Sequence, residues 1–167
     1  KVYNLREVDE IIFLDVVATN YNKKPNLPVV KEISDVCYVP LTVGGGIKTL
    51  NDIEDLLKNG ADKISINTAA IKDPSIIAKA SKVFGCQCIT VSIDFRLDQN
   101  KKPIVWSNSG KINTKIELSE WIKIVQHEGA GELLITSIDL DGTFNGYDIN
   151  VYKNIESIVN IPVIASG

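Results

Sequence analysis

Methionine is absent from the 167 residues, histidine occurs once, and cysteine three times. The scarcity of soft and imidazole ligands excludes the common transition-metal sites. Cys86 and Cys88 are spaced C-x-C, Cys37 is remote from them, and His127 is the only imidazole, so no metal site is expected. The three thiols read as buried or half-buried groups in a reducing compartment, the cytoplasm. Long hydrophobic runs are also missing. The longest, Ile11–Leu14 and Ile161–Ala165, are the size of strands, which leaves no membrane span, and no signal peptide is visible. Nor does one sign of charge dominate: 18 basic and 21 acidic residues give −3, interspersed along the chain. A nucleic-acid or anionic membrane partner is therefore not expected.

What is present is an alternation. Apolar residues make up 44%, enough for the core of one domain spanning 1–167. Strands are expected over Glu10–Val16, Val39–Val43, Lys63–Ile66, Gln87–Ile93, Glu132–Ile138 and Ile161–Ala165. Their near-continuous Ile, Val and Leu content suits strands covered on both faces. Helices are expected over Leu27–Val36, Leu50–Asn59, Pro74–Phe84, Ile116–Glu128 and Ile149–Val159, with Gly60 and Gly129 as stops. Six alternating units predict a parallel sheet, either open or closed.

An internal repeat selects the closed form. An ungapped shift of 122 positions lays Glu10-Ile-Ile-Phe-Leu on Glu132-Leu-Leu-Ile-Thr, and Val39–Gly45 on Ile161–Gly167. Two similar halves of about four units each make a (β/α)8 barrel, which typically takes about 250 residues. The expectation is a TIM barrel truncated to about strands 2 to 7. Without strands 1 and 8 its edges would be open, and the fragment alone would be inactive.

Barrel active sites lie at the C-terminal strand ends. Those ends carry Asp15, Gly44-Gly-Gly46, Asn67-Thr68, Asp94, Asp139-Leu-Asp-Gly-Thr143 and Ser166-Gly167. Gly44–Gly46 is either a tight turn or a phosphate cradle, since glycine lets backbone N–H groups approach an anion. Its repeat mate Ser166-Gly167 makes the second reading sharper: two cradles across one mouth suit a substrate with a phosphate at each end. Asp94 is either a turn cap or a general acid or base. The repeat predicts a second carboxylate about 28 residues before Lys1. Asp139 or Asp141 is expected to orient a ligand group, and Asp15 to support loops. At the opposite strand ends stand Glu10, Asp62, Lys63 and Glu132, a set either solvated or closing an axial passage.

Several stretches carry a resemblance. Val43-Gly-Gly-Gly-Ile47, Gly60–Ala70, Ser109–Thr114, Gly129–Thr143, Gly146-Tyr-Asp148 and Ile164–Gly167 together resemble the cyclase subunits of imidazole glycerol phosphate synthase. That resemblance implies a lyase of histidine biosynthesis. It joins ammonia to phosphoribulosyl-formimino-aminoimidazole-carboxamide ribonucleotide, yielding imidazole glycerol phosphate and aminoimidazole carboxamide ribonucleotide. It implies Asp94 as one of two catalytic aspartates. Gly45, Gly46, Asn67 and Thr68 would hold one phosphate, and Asp141, Gly142, Ser166 and Gly167 the other. It also implies a glutaminase partner that feeds ammonia past a gate of Glu10, Lys63 and Glu132, with Asp62 as a docking contact. The resemblance also implies a ribulose-phosphate-binding type of barrel and no organic cofactor. Lys115 and Leu140 depart from the family pattern, while Asn22–Asn26 and Ser92 resemble a paralogous branch that amidinates surface sugars.

Overall fold

The computed structural model describes residues 8–16, 18, 21 and 23–167. Six parallel strands run in chain order: β1 (Ile11–Leu14), β2 (Leu41–Gly44), β3 (Lys63–Ile66), β4 (Ile89–Leu97), β7 (Glu132–Ser137) and β8 (Val163–Ser166). An antiparallel hairpin, β5 (Pro103–Ser107) and β6 (Ile112–Glu117), joins the sheet at β4. The helices are α1 (Leu27–Ser34), α2 (Leu50–Lys58), α3 (Thr68–Lys72), α4 (Ser75–Phe84), α5 (Leu118–His127) and α6 (Ile149–Ile155). Among the described residues, β1 pairs only with β2 and β8 only with β7, so the sheet is not closed.

Alternation along each strand assigns the two faces. One set, including Leu41, Val43, Ile64, Ile66, Val91, Ile93, Leu133 and Ile135, is buried in the core with helix residues Ile53, Leu56, Ile77 and Trp121. The other face carries the polar side chains, with Ile12 and Leu134 among them. Register places Thr42 beside Lys63, Ser65 beside Thr90, and Thr90 beside Glu132, with Ser92 and Asp94 following on β4. Burial of hydroxyls and charges on one face of a parallel sheet is the signature of an interior that something polar must occupy.

The repeat is present in the backbone. Leu41–Gly44 shifted by 122 positions is Val163–Ser166, the whole of β8. The pairing Ile11↔Leu41 through Leu14↔Gly44 recurs as Leu133↔Val163 through Thr136↔Ser166. Even the lead-in bond repeats: Ile11 N donates to the Pro40 carbonyl at 3.0 Å, and Leu133 N to the Pro162 carbonyl at 2.9 Å.

Two expectations need correction, and one helix start brings its own cap. The helix expected over Ile116–Glu128 begins at Leu118, because 112–117 is strand β6 paired with β5. The hairpin interrupts the strict β/α alternation. Asp94 does not end its strand either: β4 outruns β3, and β5 pairs with its last four residues, Asp94–Leu97. Finally, α2 starts from Thr49, whose hydroxyl accepts from Asp52 N while the Asp52 carboxylate accepts from Thr49 N, a reciprocal cap satisfying two helix-end donors.

Candidate active site

A cavity of about 770 Å³ opens at the C-terminal ends of the strands. Each strand of the polar face delivers its last residues or following loop there: Asp15 after β1, Gly45 and Gly46 after β2, Asn67 and Thr68 after β3, Ser92 and Asp94 on β4, Thr136 on β7, and Ser166 on β8. Asp141, in the loop after β7, closes the ring.

Asp94 is the most perturbed group in it. Burial pushes its carboxyl up to about 6; the hydrogen bond donated by Asn67 Nδ2 to Oδ2 at 2.9 Å opposes this, and the charge of Asp141 adds to it. At neutral pH such a carboxyl is mostly ionised with a protonated minority, the balance needed to take up a proton and return it. Asn67 itself has a buried Oδ1 with no hydrogen-bond partner, so its amide is fixed from one side only.

Gly45 and Gly46 have φ of +104° and +72°. A Cβ on Gly45 would meet the Asp15 carbonyl oxygen at 2.2 Å, and one on Gly46 the Lys23 carbonyl oxygen at 2.7 Å. Only glycine lets the chain turn this tightly against β1. Asp15 supports the same corner: its N–H donates to the Gly44 carbonyl at 2.8 Å, and Oδ1 accepts from Ala18 N at 2.9 Å. Opposite, Ser166 N donates to the Tyr152 hydroxyl at 3.3 Å, and that hydroxyl donates to the Ile135 carbonyl at 2.7 Å. Tyr152 thereby clips β8 to β7. Gly167 and Gly142 do not line the cavity: Gly167 is pressed on the Ser137 backbone, and Gly142, exposed with φ of +75°, forms the turn beyond Asp141. Asp139 is exposed and points to Arg96 Nε at 3.4 Å, outside the cavity.

The hairpin contributes a wall that strand counting misses. Asn108, Ser109 and Gly110 at its tip line the cavity with φ of +52°, +55° and +73°, and Asn108 N donates to Thr68 Oγ1 at 3.1 Å. A turn-forming Asn-Ser-Gly between two short runs of strand formers was the available signal.

At the other end of the polar face, Lys63 Nζ lies 3.0 Å from Glu10 Oε2 and 3.0 Å from Glu132 Oε1, while Thr90 Oγ1 donates to Glu132 Oε2 at 2.9 Å. Burial works against the Lys63 charge, but the bonds to Glu10 and Glu132 outweigh it and hold the ammonium above its usual range. Lys63 opens β3 and Asn67 follows its end, so this cluster and the cavity lie about 13 Å apart along one strand. Asp62 is exposed beside it; its Oδ2 accepts from Leu41 N at 2.8 Å. His127 is exposed at the end of α5, 3.7 Å from Glu128 and far from the cavity lining.

The chain is 52% identical over 165 residues to the imidazole glycerol phosphate synthase subunit HisF of Sulfurisphaera tokodaii. It is 46% identical over 166 residues to the proteins of the same name from Clostridium botulinum strain Okra and Bacillus cereus strain AH187. Each match covers 99% of this chain and 66% of the relative. The chain thus spans about two thirds of the length of these relatives. A sequence model of the family described as histidine biosynthesis protein matches residues 1–167 throughout, and the chain belongs to that family.

Proposed function

We propose that this chain forms the greater part of an imidazole glycerol phosphate synthase cyclase, acting in the cytoplasm. The observation that carries the reading is Asp94: a half-buried carboxyl raised to about 6 in a cavity flanked by two repeat-related corners. In the proposed reaction, ammonia adds to the ribulosyl carbonyl carbon of phosphoribulosyl-formimino-aminoimidazole-carboxamide ribonucleotide, and water leaves. Cleavage of the formimino carbon–nitrogen bond then releases aminoimidazole carboxamide ribonucleotide as the imidazole ring closes. Asp94 shuttles protons with a second carboxylate contributed by the remaining third of a closed (β/α)8 barrel. Backbone N–H groups at Gly45 and Gly46, with Asn67 and Thr68, take one phosphate. Ser166 takes the other with Asp141 nearby, Gly142 and Gly167 acting through the turns they allow rather than by lining the cavity.

Lys63, Glu10 and Glu132 form the gate at the entrance of an ammonia passage along the polar face, and a glutaminase docks below it near Asp62. The buried hydroxyls of Thr42 and Ser65, which have no hydrogen-bond partner, give that passage polar walls. The test is turnover: the complete protein, given the phosphoribulosyl substrate and ammonium salts, releases both products, and Asp94→Asn abolishes release while substrate still binds. Substrate binding without turnover in the unaltered protein would move the reading to ammonia-dependent amidination of a sugar, to which Ser92 on the cavity wall is suited.

A further inference from the structure

The 122-residue repeat governs the backbone of both corners, but two side chains break it together. Ser166 lines the cavity, whereas the residue 122 positions earlier is Gly44, where a Cβ would meet Leu14 Cδ2 at 2.7 Å and Ser65 Cβ at 2.9 Å. Tyr152 on α6 carries a hydroxyl, whereas its counterpart on α1 is Val30, an apolar core residue. The strands pair in the same register in both halves, so forming that pairing does not require a hydroxyl from the helix. Of the two corners, the one with a hydroxyl behind it is the one that presents a side chain to the cavity.

The Tyr152 hydroxyl touches both strands of its pair. It donates to the Ile135 carbonyl on β7 at 2.7 Å, accepts from Ser166 N on β8 at 3.3 Å, and lies 3.4 Å from the Ser166 carbonyl oxygen. The ring is held in turn: it packs edge-on to Tyr147 with centroids 6.5 Å apart, and α6 is capped by Asp148 Oδ1, which accepts from Val151 N at 3.2 Å. Burial raises the hydroxyl above the ordinary tyrosine range, so it stays a donor throughout neutral pH. We propose that Tyr152 is a positioning residue: by holding the Ser166 backbone, it sets where the Ser166 side chain stands for a phosphate bound at this corner. The inference rests on the reading of Ser166 as a phosphate contact, but not on the reaction assigned to the cavity. Serine has a single χ angle before its hydroxyl, so backbone placement decides where that hydroxyl stands. A preorganised contact weakens when the groups supporting it loosen.

The test is a double-mutant cycle in the complete protein, with inorganic phosphate as the probe and calorimetry as the readout. Tyr152→Phe and Ser166→Ala are each expected to weaken phosphate binding about fivefold. The double variant should bind within about twofold of Ser166→Ala alone, because Tyr152 acts through the side chain that is already gone. Gln126→Leu serves as the structural control. Gln126 ties α5 to the chain before β8, donating to the Ile158 carbonyl at 3.0 Å and accepting from Asn160 N at 2.7 Å. Its loss should lower stability and leave phosphate affinity unchanged. Additive losses in the double variant would overturn the proposal, as would unchanged affinity in Tyr152→Phe or equal weakening by Gln126→Leu. Unchanged affinity in Ser166→Ala would overturn the phosphate reading of the corner and the positioning role with it. Turnover is scored separately: Tyr152→Phe should raise KM for the phosphoribulosyl substrate with kcat nearly unaltered. A non-additive phosphate cycle without any turnover in the unaltered protein would count against the proposed reaction alone.

Discussion

Gly45 stands against the backbone of Asp15 as closely as a residue without a side chain permits. A Cβ at that position would lie 2.2 Å from the Asp15 carbonyl oxygen. Its counterpart 122 positions on, Gly167, meets the backbone of Ser137 in the same way, with a Cβ 2.6 Å from the carbonyl oxygen, and the two φ values are +104° and +117°. Asp15 and Ser137 are themselves 122 positions apart. The half-barrel repeat therefore extends beyond the strands into the loops that form the site.

Gly45→Ala is expected to cost on the order of 1–3 kcal/mol of stability, from left-handed backbone strain and the clash with Asp15. It should weaken phosphate binding as well. Chemical denaturation with a parallel phosphate titration checks both. A variant of unchanged stability and affinity would mean that the corner relaxes freely and is not a rigid cradle.

Asp94 links chemistry to stability. Its folded pKa lies above the ordinary carboxylate value, so the folded state holds this proton more tightly than the unfolded chain. The associated stability is present below about pH 4 and lost as pH rises through about 6. Asp94→Asn keeps a polar partner for Asn67 and removes that loss. It is expected to be more stable than the parent at pH 7, on the order of 1–3 kcal/mol, with the advantage shrinking toward pH 4. Melting curves across pH 4–7 measure this without reference to any reaction.

The same group sets a pH profile for turnover. With the Asp94 carboxylate as the proton acceptor, kcat/KM rises with pH through an apparent pKa near 6. Asp94→Asn should lower turnover by at least about 100-fold while leaving substrate affinity within a few-fold. An acidic limb near pH 4 would assign the limb to an unperturbed carboxylate elsewhere.

Lys63 holds two carboxylates, Glu10 and Glu132, within 3.0 Å. Lys63→Met leaves those like charges facing each other without a cation. The expected result is lower stability, and a larger fall in turnover supplied by glutamine than in turnover supplied by free ammonium. Equal falls with both nitrogen sources would place the defect in folding and not in passage.

Thr68 ties the hairpin tip to the strand ends through Asn108 N. Thr68→Val should cost about 1 kcal/mol and raise KM more than it lowers kcat, whereas Thr68→Ser preserves both. Steady-state kinetics of the pair separate loss of the hydroxyl from loss of the methyl.

Much of this was written in one dimension. Ile, Val and Leu runs at strand length, separated by amphipathic stretches with glycine stops, determined six parallel strands and their order, because local periodicity and burial on both faces leave few alternatives. The 122-residue repeat sets β1 and β2 against β7 and β8 in register, and it marks Gly45, Gly46 and Ser166 as corners. Tertiary structure decided the rest. The hairpin 103–117 was hidden because Ile116 reads equally as the start of the apolar stripe of α5. Only the edge that β3 leaves free beside Asp94–Leu97 makes those residues a strand. The perturbation of Asp94 likewise depends on burial and on Asn67, 27 residues away. Spacing along a chain fixes which face a residue joins, but desolvation and charge neighbourhood exist only once distant strands share a wall.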